Sequence, residues 1–137
     1  MPKIYYKSGY KYQLSEDYSI WTEITGLNIH KDFLSLDAAG LLTVHAGYCW
    51  DGPSGPAIDT RNFMRGSLVH DAGYQLMREC NLPIEYREYF DQLLREICLE
   101  DGMSRLRAWW VYKAVRWAAG PCADKSNVKP TLKAGQK

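Results

Sequence analysis

The chain has almost no charge imbalance. Its 17 Lys and Arg stand against 16 Asp and Glu, a formal net charge of +1 over 137 residues. A nucleic-acid-binding domain needs a strongly basic face to neutralise phosphates, so no nucleic-acid partner is expected. No stretch approaches the roughly 18 apolar residues of a membrane span, and no transmembrane segment is expected. No apolar run follows a basic N-terminal region, so no secretory signal peptide is expected. Cysteine is sparse: Cys49, Cys80, Cys98 and Cys122 lie far apart and form no CxxC pair. A domain of this size folds without disulfides, which points to reduced thiols and a cytosolic folding compartment. Histidine is sparser still, with only His30, His45 and His70. An HD-type phosphohydrolase needs several His and Asp ligands on helices. Two of the three His lie in the half that reads as strands, so that class is set aside. Repeats and low-complexity segments are lacking as well.

Aromatic residues, by contrast, are in surplus, with ten Tyr and five Trp. A few aromatics pack a core, but a surplus suggests that some face a partner protein, lipid or further copies of the chain. The length fits one domain with one core. The expected division is a single α+β domain over residues 1–124 and a basic, extended arm over 125–137. The arm holds Lys125, Lys129, Lys133 and Lys137 and no acid.

Residues 3–48 read as a small antiparallel sheet. Lys3–Lys7 and Tyr10–Leu14 nearly alternate, and Tyr18 to Ile24 alternates with period two. Phe33–Leu36 and Leu41–His45 flank Asp37-Ala38-Ala39-Gly40, a hairpin whose Asp and Gly sit where a turn wants them. Residues 26–31 read as a link. From Asn62 the period becomes helical. The first predicted helix carries Phe63, Leu68, Val69, Ala72, Gln75 and Leu76, with Asp59 or Thr60 as cap, and ends before Pro83. A second runs from about Ile84 to Glu100, with Tyr86, Phe90, Leu93, Leu94 and Ile97 as its apolar stripe. A third runs from about Ser104 to Ala119. Its Trp109, Trp110 and Trp117 at helical spacing read as core rather than as lipid contact. Arg61, Arg65 and Arg78 read as solvated or helix-pairing charges, and His30 and His45 match no ligand spacing.

The chemistry concentrates between Cys49 and Met77. A Gly/Pro-rich turn, Trp50-Asp51-Gly52-Pro53-Ser54-Gly55-Pro56, precedes a helix carrying His70, Asp71 and Tyr74. His70 and Tyr74 share a face as i, i+4, and Asp71 lies about 100° round the helix. If the second helix packs antiparallel, Asp91 comes within reach of the His70 ring or the Tyr74 hydroxyl. A carboxylate there would fix the imidazole tautomer and favour its cation during proton abstraction. The turn would supply carbonyl oxygens, which together with one carboxylate suit a hard cation.

These residues resemble the calcium-dependent phospholipase A2 family, in which a Tyr-x-Gly-x-Gly-Gly loop precedes an HDxxY helix and an Asp on a second helix. Trp50, Gly52, Ser54 and Gly55 lie 20, 18, 16 and 15 residues before His70, the positions of that loop's aromatic and three glycines. The HDxxY helix is also similar to that of the phospholipase domains of parvovirus capsids. The resemblance implies a phospholipase-like helical core. It implies His70 as general base for water, Asp91 orienting it and Tyr74 bracing Asp91. It further implies calcium held by Asp71 with the carbonyls of Trp50, Gly52 and Ser54, and an oxyanion held by the Gly52 amide and the metal. The substrate would be a phospholipid or another ester.

A longer resemblance covers Tyr48 to Arg78 (YxWDGxSGP, then RxSLVHDAxYQLMR), Phe90-Asp91 to Leu94, and Tyr112 to Arg116 with Gly120 beyond. It is to a phage-associated family of unknown function, and it implies a phage or prophage origin, with phage structural proteins as partners. The host cytoplasm or the virion would then be the location. The chain departs from the secreted lipases in having no Cys beside His70, in Ser54 for a Gly, and in Pro53, which removes a loop N–H. Asp51 is a carboxylate that the lipase loop does not use, and it is open as a direct metal ligand or as a cap. Two readings follow: a calcium-dependent ester hydrolase, or a non-enzymatic phage structural or host-interaction protein that keeps the fold. In the second, His70 and Asp91 are a buried polar pair joining two helices, and the WDGPSGP stretch is a rigid turn.

Overall fold

Period-two alternation becomes strands wherever one face of the alternating residues is buried. The computed structural model describes residues 6–7, 12–50 and 61–118. Among them are seven strands followed by three α-helices, an α+β order with antiparallel pairing throughout. The strands fall in one compact unit and the helices in another.

The strands form two sheets rather than one. β1 (Tyr6–Lys7), β2 (Tyr12–Leu14) and β7 (Cys49–Trp50) make a three-stranded sheet in the order β1-β2-β7. β3 (Tyr18–Trp21), β4 (Ile29–Lys31), β5 (Leu34–Leu36) and β6 (Leu41–Val44) make a four-stranded sheet in the order β3-β6-β5-β4. In the second sheet Leu34 opposes Val44 and Leu36 opposes Leu42, and all four are buried. Burying each such side chain contributes about 1.5–3 kcal/mol, enough to fix a register that a one-residue slip would invert. The expected hairpin turn is present: Asp37 Oδ1 accepts from the N–H groups of Ala39 (3.0 Å) and Leu41 (2.9 Å), an Asx-type closure.

Residues 29–31, expected as a link, form β4 and pair with β5. The turn between them is Asp32-Phe33, with Asp32 at φ 49°. No Gly or Pro marks it, which is why the alternation there is hard to read. Trp50, expected as the first residue of a loop, is instead the last residue of β7. It opposes Tyr12, with ring centroids 5.7 Å apart. A cross-strand aromatic pair of this kind extends a strand past the point where sequence punctuation alone would end it.

The helices are α1 (Arg61–Glu79), α2 (Arg87–Glu100, after a 3-10 turn at Ile84–Tyr86) and α3 (Arg105–Ala118). Within residues 63–77 of α1, every residue but Asp71 is buried, the mark of a central helix. α1 ends where Asn81 takes the left-handed conformation (φ 62°) and the Leu82 N–H bonds back to the Leu76 carbonyl at 3.2 Å, a C-terminal closure that Pro83 then seals. Ser104 caps α3, its Oγ accepting from the Arg107 N–H at 3.2 Å. Phe63, Leu94, Cys98, Met103, Ala108 and Val111 form the core that joins the three helices.

Two glycines on α1 set how closely α2 can approach. A Cβ at Gly66 would sit 2.8 Å from Leu94 Cδ1 and 3.0 Å from Cys98 Sγ, and one at Gly73 would lie inside the Phe90 ring. Gly66, His70 and Gly73 follow at i, i+4 and i+7, a single face of the helix. The face that presents His70 is thus the face stripped of side chains on either side of it.

Candidate functional site

The close approach of α1 and α2 brings three expected site residues together. His70 and Tyr74 come from α1 and Asp91 from the second turn of α2, and all three are buried. The His70 ring lies with its Nε2 2.7 Å from Asp91 Oδ1. The Tyr74 hydroxyl donates to the same oxygen at 2.6 Å. The two rings stack at 4.2 Å between centroids, tilted by 33°.

The second oxygen of Asp91 is also occupied. Arg116 of α3 reaches across and donates from its Nη1 to Asp91 Oδ2 at 3.0 Å. Arg87, one turn before Asp91 on α2, places its Nε 4.0 Å from that oxygen, and its Nη2 donates to the Arg116 carbonyl. One carboxylate therefore ties all three helices together.

Burial alone would raise the pKa of Asp91. Hydrogen bonds from His70 and Tyr74, the charge of His70 and the Arg116 guanidinium outweigh it and hold the carboxyl below its ordinary value. Ionised Asp91 only accepts, so the proton in its bond to His70 sits on Nε2. That fixes the tautomer and leaves Nδ1 as the nitrogen able to take a proton. Tyr74 is pushed the other way, upward, first by burial and then by its bond to Asp91 and that residue's charge. It stays a neutral donor.

Asp71 is half-buried on α1, one residue on from His70 and turned about 100° away. Trp50 is buried at the end of β7. Asp51, Gly52, Ser54 and Gly55, with the proposed cap at Asp59 or Thr60 and the arm from Lys125, lie outside the described residues.

Comparison with protein-family models, with curated proteins and with solved structures finds no match.

Sequence reasoning passed over Arg116, Arg87 and the glycine seam. Arg116 stood inside the Tyr112–Arg116 string that carried the longer resemblance, and that string was its one visible signal. Arg65 proves to be a helix-pairing charge. It is buried and forms a fork onto Asp101, with Nε to Oδ2 at 3.1 Å and Nη2 to Oδ1 at 3.0 Å, and it also reaches Glu100 Oε1 at 2.6 Å.

The expectation that Trp109, Trp110 and Trp117 are core is corrected. They are 45%, 60% and 89% exposed, and Leu106 beside them is 74% exposed. The stripe that α3 turns inward is the small-residue one, Ala108 and Val111 with half-buried Val115. Periodicity detects an apolar face but not which way it points.

Proposed function

We propose that the chain is a phage or prophage ester hydrolase that acts on phospholipid and depends on calcium, with His70 and Asp91 as its dyad. The observation that carries this reading is the 2.7 Å bond from His70 Nε2 to Asp91 Oδ1, which fixes one tautomer and leaves Nδ1 as base. His70 Nδ1 would take a proton from water as that water attacks the ester carbonyl, and ionised Asp91 would stabilise the imidazolium that forms. Tyr74 and Arg116 hold the two oxygens of Asp91 and so keep it aligned on His70. The hydrogen bonds from His70 and Tyr74, with that from Arg116, keep it ionised.

By the sequence resemblance, the cation ligands would be Asp71 and the carbonyls of Trp50, Gly52 and Ser54, and the carboxylate of Asp51 would add a further oxygen. An all-oxygen set of this kind fits a hard cation such as calcium. Bound there, calcium would supply Lewis-acid stabilisation of the developing oxyanion, alongside the Gly52 amide.

The test is fatty-acid release from phospholipid vesicles, with calcium and with chelator, for the wild type and for His70→Ala. Calcium-dependent release that His70→Ala abolishes is the expected result. Absence of calcium-dependent release by the wild type refutes the reading. The exposed aromatic face of α3 favours a second reading, a non-enzymatic phage structural or host-interaction protein. Stable incorporation into virions without hydrolysis would support it.

A further inference from the structure

The outer face of α3 combines features that a buried helix does not need. At about 100° per residue, Leu106, Trp109, Lys113, Trp110 and Trp117 fall within one arc of about 100°, and the four apolar members are all exposed. Lys113 sits in the middle of the arc, with its Nζ 5.8 Å from the centroid of Trp109. The helix RLRAWWVYKAVRWA carries Arg105, Arg107, Lys113 and Arg116 and not one acid. Arg105 and Lys113 are exposed, while Arg107 and Arg116 are half-buried at its edges. The sequence beyond it adds Lys125, Lys129, Lys133 and Lys137 against a single acid, Asp124.

We propose that this face of α3 is a docking surface for an anionic phospholipid bilayer, on which the helix lies in the plane of the headgroups. The choice of occupant follows from charge and side-chain type. Tryptophan is the residue that favours the membrane–water boundary, because its ring is apolar and its indole N–H stays hydrogen-bonded there. A helix with an aromatic face and only cations around it matches an interfacial helix on acidic lipid. Each cation near such a surface adds attraction that falls off within a Debye length. No helix among the described residues is long and apolar enough to cross a membrane, so α3 would lie on the bilayer and not span it. The inward edge of the same helix holds Arg116 on Asp91. A docked α3 would therefore be bonded directly to the candidate site, although docking itself does not require that the site turn over.

The test uses the full chain in chelator, so that binding is read apart from hydrolysis. Vesicles of phosphatidylcholine alone and of equal parts phosphatidylcholine and phosphatidylglycerol are pelleted with the protein, and tryptophan emission is recorded. Binding to the acidic vesicles with a blue shift is expected, with little binding to the neutral ones. The double variant Trp110→Ser, Trp117→Ser and the single variant Lys113→Glu should each weaken binding roughly tenfold or more. Their far-UV circular dichroism should be unchanged, because the replaced side chains are exposed. Trp21→Ser serves as control. It removes a tryptophan that is 66% exposed on the strand unit, and it should leave binding intact. The proposal is overturned by a wild type that ignores acidic vesicles, or by binding that neither α3 variant alters. It is also overturned if the double variant leaves vesicle binding intact but abolishes a concentration-dependent dimer, which would assign the face to a second copy of the chain.

Discussion

Replacing Asp91 with Asn should be among the most costly single changes available in the helical unit. The carboxylate is 0% exposed and takes hydrogen bonds from His70, Tyr74 and Arg116. A hydrogen bond to a charged group contributes about 1.5–3 kcal/mol net, but the three do not simply add. The Asn carbonyl can still accept from His70 and Tyr74 in place of Oδ1. The loss concentrates at Oδ2, where an amide N–H would face the Arg116 guanidinium, donor against donor. Breaking a buried ion pair by removing one partner costs about 3–5 kcal/mol. Arg116 keeps some access to water, its side chain being 30% exposed, so the lower end of that range applies, about 3 kcal/mol. With a urea slope of about 1–3 kcal/mol per molar, the unfolding midpoint should fall by roughly 1–3 M. The pH dependence sharpens the test. The native carboxyl titrates below its unfolded value of about 3.9. Its contribution is therefore complete above that pH and is lost as pH falls through the native value. The stability gap between wild type and Asp91→Asn should close as acid protonates the carboxyl. A loss under about 1 kcal/mol at neutral pH, or a gap that widens in acid, would refute the account of Asp91 as an ionised, three-way clamp.

Gly73→Ala should destabilise by up to about 2 kcal/mol, since an overpacking cost of about 1–3 kcal/mol exceeds the helix-propensity gain of up to about 1. Pairing it with Phe90→Leu should recover part of the loss in urea unfolding. A stabilised Gly73→Ala would remove the argument for a glycine seam. The two acids bound by Arg65 should differ in weight. Asp101, 13% exposed, should cost about 2–4 kcal/mol as Asn, whereas Glu100, 58% exposed, should cost under about 1 as Gln. Equal costs by thermal or chemical unfolding would contradict the burial argument. The Cys98 thiol is pushed up to about 12, first by burial and then by the charge of Asp101. It should resist alkylation in the native protein at mildly alkaline pH and react fully once unfolded, as read by peptide mass mapping. Native labelling would show that the core around it opens.

The α+β order was legible because both periods are strong: Leu34, Leu36, Leu42 and Val44 alternate, and Phe63 through Leu76 recur at helical spacing. The meeting of His70, Tyr74 and Asp91 was legible for a different reason. The i, i+4 pair fixes two of the groups on one face, and an antiparallel second helix leaves Asp91 little choice of neighbour. Arg116 was not legible because its partner lies 25 residues away on another helix, and a lone Arg in a helix of cations carries no local sign of pairing. Gly66 and Gly73 were passed over because an absent side chain leaves no mark on a hydrophobic pattern. β4 was missed because its turn is built on Asp32 rather than on Gly.

The buried network is itself weak evidence that the fold needs it. Apolar side chains of similar volume often replace a buried ion pair at no cost or with a gain, so stability alone does not explain why His70, Tyr74, Asp91 and Arg116 stand together. What such a network supplies beyond stability is orientation. Both Asp91 oxygens are fixed by donors from α1 and α3, and a carboxylate held at both ends can hold an imidazole in one tautomer and at one angle. A structural clamp between α1 and α2 would need only the His70–Asp91 bond. Arg116 adds a tie to α3, and together with His70 and Tyr74 it keeps Asp91 acceptor-only. A working base and a fastening of three helices would both use this orientation, and the His70→Ala hydrolysis measurement decides between them.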